Sequence, residues 1–207
     1  MSFDHLAPFY QAMETIAAGQ KLQRCRIAFL AEIPAPQRVL LAGEGHGRFL
    51  PECLRQFPKA KIIVADSSLQ MLKIAQAKVT SAQVEFIHID LLKWTEPTYK
   101  FDLIVTNFFL DCFSKDELVA VITHLSELAT PTAEWLIADF EIATTRFARL
   151  RCQIIIALLY RFFRRVCGLR ARALISPNPE LQRVGFMLHR RVTYDWGLLK
   201  SEWWRRG

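Results

Sequence analysis

The segment Arg38–Leu50, RVLLAGEGHGRFL, restricts what this chain can fold into more than any other stretch. Val39–Ala42 is a short apolar run, preceded by Pro36 and followed by glycines, which is the pattern of a buried strand. Gly43, Gly45 and Gly47 then alternate with Glu44 and His46, and a helical pattern begins at Arg48. Glycines at this spacing permit a tight strand-to-helix turn and let a ligand approach bare backbone. A glycine-rich turn without a ligand would look the same, so the remainder of the chain decides between the two.

Three further apolar runs follow, each ending on a polar residue. Ile62–Ala65 ends on Asp66, 19 residues after Gly47 (66 − 47). An acid at that place can accept hydrogen bonds from both hydroxyls of a ribose. Val84–Ile89 ends on Asp90, and Phe101–Thr106 ends on Asn107. Polar groups at the carboxyl ends of successive parallel strands mark where an open α/β sheet places its ligand.

With these residues in place the chain resembles the class I methyltransferases that use S-adenosylmethionine. The matching pieces are LLAGEGHG for the glycine loop, VADSS for the ribose acid, HIDLL for the adenine side and FDLIVTNFFLDCF for the fourth strand. The resemblance covers roughly residues 36 to 142 and is specific to the superfamily, not to one acceptor. It implies a Rossmann-like three-layer sandwich around a seven-stranded mixed sheet whose last two strands are antiparallel. It also implies S-adenosylmethionine as cofactor. The methionine portion would lie on Gly43, Gly45 and Gly47, the ribose on Asp66 with Ser67, and the adenine on Met71, Asp90 and Leu91, with Asn107 beside them. One departure stands out: the family usually carries an acid two residues before the first glycine, where this chain has Leu41. Glu44, inside the loop, is the residue expected to compensate. GEGHG is also similar to the loop of aminopropyl transferases, but the Asp those enzymes carry after strand four is replaced by Thr106-Asn107.

The rest of the chain is read as one domain in three parts. Residues 1–35 form a helical cap whose opening, FDHLAPFYQAME, looks like a segment that folds over the cofactor in small-molecule methyltransferases; it makes Tyr10, with His5, a candidate substrate-side group. Residues 36–142 are the cofactor-binding core. In it Asp111, just past Phe108 and Phe109, is the expected substrate-side acid, and Asp139 with Glu141 either faces the pocket or caps the next helix. Residues 143–207 carry a long helix from Thr144 or Thr145 to about Val166, and a closing hairpin that turns at Asp195-Trp196-Gly197.

Charge is divided along the same line. Residues 1–142 hold 13 Lys and Arg against 17 Asp and Glu, whereas residues 143–207 hold 14 against 3, a balance of +11. A basic third on a mildly acidic body favours an anionic partner. In the long helix Arg146, Arg149, Gln153, Tyr160, Arg161 and Arg164 share one stripe, opposite Ile155, Leu158, Leu159, Phe162, Phe163 and Val166. That arrangement suits sheet packing or an anionic membrane surface. Nucleic acid is the lesser alternative, because Asn107 is followed by Phe108-Phe109-Leu110 and not by the prolines of base-modifying enzymes. No run approaches the roughly 20 apolar residues that span a bilayer, and the start has no signal-peptide pattern, so a cytoplasmic enzyme is expected, free or associated with a membrane surface. The five scattered cysteines show no zinc spacing and read as reduced thiols; no metal is expected. The reading from sequence is therefore methyl transfer to a small lipophilic or aromatic acceptor. A nucleic-acid-associated methyltransferase, an aminopropyl transferase and a catalytically silent cofactor binder remain as alternatives.

Overall fold

Apolar runs bounded by Gly and Pro become the parallel strands of one sheet in the computed structural model, which describes residues 20–94 and 99–207. Seven strands pair in the order 3-2-1-4-5-7-6. They are β1 (Arg38–Ala42), β2 (Lys61–Asp66), β3 (Val84–His88), β4 (Phe101–Asn107), β5 (Ala129–Phe140), β6 (Phe186–Tyr194) and β7 (Leu199–Arg206). β1 to β5 run parallel, and β7 lies antiparallel to both β5 and β6. This is the expected Rossmann-like sandwich with reversed closing strands. β5 has an irregular register against β4 between Phe101 and Leu103.

Alternate residues of the central strands serve two cores, as a sheet buried on both faces requires. Leu40, Ile63, Ile104 and Ile137 pack with Leu118, Val121, Ile122 and Leu125 of α4 (Lys115–Glu127). Val39, Leu41, Ile62, Val64 and Leu103 pack on the opposite side with Phe49, Leu50 and Cys53, at the start of α2 (Leu50–Gln56), and with Leu72 of α3 (Leu69–Lys78). Leu41, the residue in the place of the family's usual acid, is thus a core side chain. Helix starts follow the local signals: Pro51 sits in the first turn of α2, Ser68 Oγ accepts the Met71 N–H at the start of α3, and Ser114 with Glu117 forms a capping box on α4.

A third cluster covers the carboxyl end of the sheet. Leu22 and Cys25 of α1 (Gln20–Ile27) meet Ala138, Leu198 and Leu199 and the inner line Cys152, Ile156 and Tyr160 of α5 (Arg146–Cys167). Gly168 ends α5 in the left-handed conformation, φ +66°. A short helix, α6 (Asn178–Arg183), leads into β6. The orientation of α5 differs from the stripe read off the sequence. Tyr160 is turned inward and buried, while Leu158, Phe162 and Val166 are exposed. Cys152, Ile156 and Tyr160 find their floor in the cluster over the sheet end, with Ile155 and Phe163 packed beside them. All five cysteines are free thiols.

Candidate active site

The site grows out of the turn after β1. The Gly43 N–H donates to the Ala65 carbonyl at 2.8 Å, tying the loop to the end of β2. Gly43 has φ +68°, and a Cβ there would lie 2.1 Å from the Phe109 ring, so only glycine allows this approach of β4's exit to the loop. Gly45, φ +64°, is different: a Cβ would meet nothing among the described residues within 4 Å, because the residue faces a cavity. Gly47 is turned away from that cavity, onto Ala75 of α3.

Asp66 holds the loop to the next helix. Its Oδ2 accepts the Gly45 N–H at 2.9 Å and its Oδ1 the Ser68 N–H at 2.8 Å. Burial raises its pKa, and these backbone donors pull the other way. Each oxygen keeps a lone pair, so the carboxylate can still accept from a ligand's hydroxyls. Glu44 takes a role that spacing alone did not indicate. Its Oε1 accepts the N–H groups of Phe49 (2.6 Å) and Leu50 (3.2 Å), capping the start of α2 from within the cavity wall. Glu44 therefore does not simply substitute for the acid missing at Leu41; it fastens the loop to the helix that follows.

The cavity has a volume of about 610 Å³ and runs along the carboxyl ends of the parallel strands. On the β1–β3 side it is lined by Gly45, Asp66, Ser67, Met71, Asp90 and Leu91. Met71 and Leu91 are buried there, and exposed Asp90 accepts the Leu92 N–H at 3.1 Å through Oδ1. Asn107, at the end of β4, lines the middle of the cavity. It is buried, yet neither its Oδ1 nor its Nδ2 has a hydrogen-bond partner among the described residues. A buried amide without partners costs free energy that a ligand with donors and acceptors recovers. The residues present therefore fit an adenosine-bearing amino-acid cofactor: hydroxyl acceptors at Asp66, an apolar slot at Met71 and Leu91, and an unsatisfied amide at Asn107.

Beyond Asn107 the lining becomes apolar and aromatic. Phe108 has φ +53°, unusual for a bulky residue. Its ring meets Phe140 at 5.4 Å, and the buried Arg26 guanidinium lies 5.0 Å from its centroid. α5 closes this side with Ile155, Leu159, Tyr160 and Phe163. Asp111 lies in the wall at this end. Tyr160 Oη donates to its carbonyl oxygen at 3.1 Å, and the Cys112 thiol lies 3.6 Å from its Oδ1. Burial pushes the Asp111 carboxyl up to about 6. Asp139, also buried, is driven well above the carboxylate range by burial and then by the charge of Asp111. Both carboxyls are thus held above the ordinary carboxylate range, Asp139 further than Asp111, by burial and by each other's nearness.

Most of the residues expected from the sequence thus meet around one cavity. Tyr10 and His5 lie outside the described residues. Arg26, Phe140 and the inner face of α5 were not singled out for this site, because chain segments far apart in sequence bring them there. Asp139, expected either to face the pocket or to cap the next helix, is buried and is not among the residues lining the cavity, although the charge of Asp111 reaches it. Among the described residues no cluster of His, Cys, Asp and Glu has the arrangement to hold a metal ion.

Sheet order, glycine loop and the acid closing β2 together define the class I methyltransferase fold. Residues 39–132 match the family described as "Methyltransferase domain". The release factor glutamine methyltransferase of Koribacter versatilis is 42% identical over 71 residues, 33% of this chain and 25% of that protein. The malonyl-[acyl-carrier protein] O-methyltransferase of Halalkalibacterium halodurans is 41% identical over 76 residues, 35% of this chain and 28% of that protein. The match therefore spans only about a quarter of these two relatives. Among solved structures, magnesium protoporphyrin IX methyltransferase from Synechocystis PCC 6803, with bound S-adenosylhomocysteine, superposes with a TM-score of 0.68. It is 20% identical, and the match covers 96% of this chain and 88% of that one.

Proposed function

We propose that this protein transfers a methyl group from S-adenosylmethionine to a small, lipophilic or aromatic acceptor. The observation that carries the reading is one continuous cavity: it starts at a glycine loop and ribose-type acid and ends in an aromatic chamber beside Asp111. S-adenosylmethionine, when bound, supplies an electrophilic methyl group. Asp66 and the backbone of Gly45 would hold its ribose, Met71, Asp90 and Leu91 its adenine, and Asn107 its polar amino-acid portion.

The chain's own contribution is placement and dryness. Phe108, Phe140, Ile155, Leu159 and Phe163 exclude water and hold an apolar acceptor, which converts a bimolecular encounter into an oriented one. Asp111, with its carboxyl at about 6, is ionised at neutral pH and accepts the acceptor's proton at a carboxylate oxygen. The hydrogen bond from Tyr160 to the Asp111 carbonyl fixes the backbone that carries this base. The magnesium protoporphyrin IX relative, named for a non-macromolecular acceptor, supports the small-molecule reading.

The test is incubation of the protein with methyl-labelled S-adenosylmethionine and a panel of phenols, carboxylic acids, amines and quinols, with mass analysis of the products. Label in a lipophilic acceptor, lost in Asp111→Asn with cofactor binding retained, is the expected result. Label appearing only in RNA, or a product carrying an aminopropyl group, would refute it.

A further inference from the structure

α5 presents two apolar faces, and the described residues pack against only one. The inner line, Cys152, Ile156 and Tyr160, packs over the sheet. On the other side Phe147 (88% exposed), Leu150, Ile154, Leu158 (63% exposed) and Phe162 form an outward stripe at i, i+3, i+7, i+11 and i+15. That is a line of five large apolar side chains along a helix about 33 Å long (22 residues at about 1.5 Å each). The same helix carries six arginines and no acidic residue, and Arg146, Arg149, Arg161, Arg164 and Arg165 are exposed around the stripe. Beside its first turns Arg151 bonds to Asp195, at 2.9 Å to the carboxylate and 3.0 Å to the carbonyl. The residue after Asp195 is Trp196, 77% exposed.

We propose that α5 and Trp196 form a docking surface for an anionic lipid bilayer, with the helix lying in the plane of the headgroups. Phe147, Leu150, Ile154, Leu158 and Phe162 enter the acyl boundary, the arginines sit among lipid phosphates, and Trp196 anchors at the interface. Charge complementarity selects this occupant. A nucleic acid would pair with the arginines but leave the apolar stripe against water. A second copy of the chain would bring two stripes together only by setting five exposed arginines against five. An anionic bilayer alone satisfies both the stripe and its border. No helix among the described residues is long and apolar enough to cross a membrane, so the contact is peripheral. The helix's inner side, Ile155, Leu159 and Phe163, lines the aromatic chamber, so docking sets that chamber against the lipid surface. This last consequence, a route for a lipophilic acceptor, rests on the proposed function; the docking itself does not.

The full chain is mixed with vesicles of equal parts phosphatidylglycerol and phosphatidylcholine, or of phosphatidylcholine alone, at low and high salt, without cofactor or acceptor. Binding is read by co-sedimentation and by tryptophan fluorescence. Trp94, Trp135, Trp203 and Trp204 are buried, so a change on binding reports Trp196. Expected are salt-sensitive pelleting with anionic vesicles and a blue shift that Trp196→Phe removes. The triple variant Phe147→Gln, Ile154→Gln, Leu158→Gln should lose vesicle partitioning about a hundredfold or more and melt like wild type. Equal pelleting of the triple variant would overturn the proposal. So would a marked fall in its melting temperature, which would mean the stripe is covered by the protein's own chain. A wild-type dimer that the triple variant converts to monomer, or retention of an RNA oligonucleotide with no vesicle binding, would equally overturn it. None of these outcomes bears on methyl transfer, which is assayed separately.

Discussion

Asp111→Asn separates the chemistry of the site from its cost in stability. In the wild type, burial raises the Asp111 carboxyl from 3.8 to about 6. A raised pKa on an acid means that the folded state binds the proton more tightly than the unfolded chain does. Its stabilising effect is therefore fully present below about pH 4 and is lost as pH rises through about 6. The difference of about 2 units corresponds to roughly 3 kcal/mol of destabilisation above pH 6, and the shared titration with Asp139 makes this an upper limit. The amide introduced by the substitution has the same shape as the carboxyl and keeps an oxygen facing the Cys112 thiol, but has no charge to desolvate. The variant is expected to be more stable than wild type at pH 7.5, by as much as about 3 kcal/mol, with the gain vanishing near pH 4. Its methyl transfer should fall about 10²- to 10⁴-fold, the usual loss when a positioned base is removed. In the wild type, the rate limb that rises with pH should bend near 6. Urea denaturation of both proteins from pH 4 to 8, with rates measured in parallel, checks all three. A stability difference that does not change with pH, or a variant less stable at pH 7.5, would refute the buried-carboxylate argument. Unchanged activity would refute Asp111 as the base.

Asp66→Ala should weaken S-adenosylmethionine binding by roughly 1.5–3 kcal/mol, and it also strands the Gly45 and Ser68 N–H groups that Asp66 accepts. Titration calorimetry giving wild-type affinity would remove the ribose assignment. Gly45→Val puts a branched side chain into open cavity space at φ +64°, so it should abolish cofactor binding in a folded protein that is destabilised by about 1–3 kcal/mol of backbone strain; retained binding would show that the loop does not face the ligand. Asp195 bridges Lys21 and Arg151. Burial alone would raise its pKa, but hydrogen bonds from both partners hold it below the usual range. Its stabilising contribution is thus present at neutral pH and lost as pH falls through that depressed value, so Asp195→Asn should lower the melting temperature at pH 7 but not in strong acid, as calorimetric scans would show.

Where a physical signal is local, the sequence by itself determined the outcome. Apolar runs ending in Asp66, Asp90 and Asn107 became strands with those residues at the cavity, because strand burial and the turn chemistry after it depend on adjacent residues. The capping box at Ser114 and the glycine after α5 belong to the same class. The hairpin turn at Asp195 and the antiparallel closing strands followed as well. What only the tertiary structure decided depends on segments remote in the chain. Periodicity placed side chains around α5, but not which arc would find a floor. Packing on Ala138 and Leu199 turned Tyr160 toward the Asp111 carbonyl and left Phe147 and Leu158 outside. Glu44's spacing suggested a ligand contact, and the proximity of α2's first turn made it a cap. Arg26 reached the Phe108 ring, and Asp139 came within reach of Asp111's charge, because β4 and β5 pair side by side and α1 folds back over their ends. Side-chain identity and spacing specify how a segment folds; burial, and with it every shifted pKa in the site, is a property of the assembled layers.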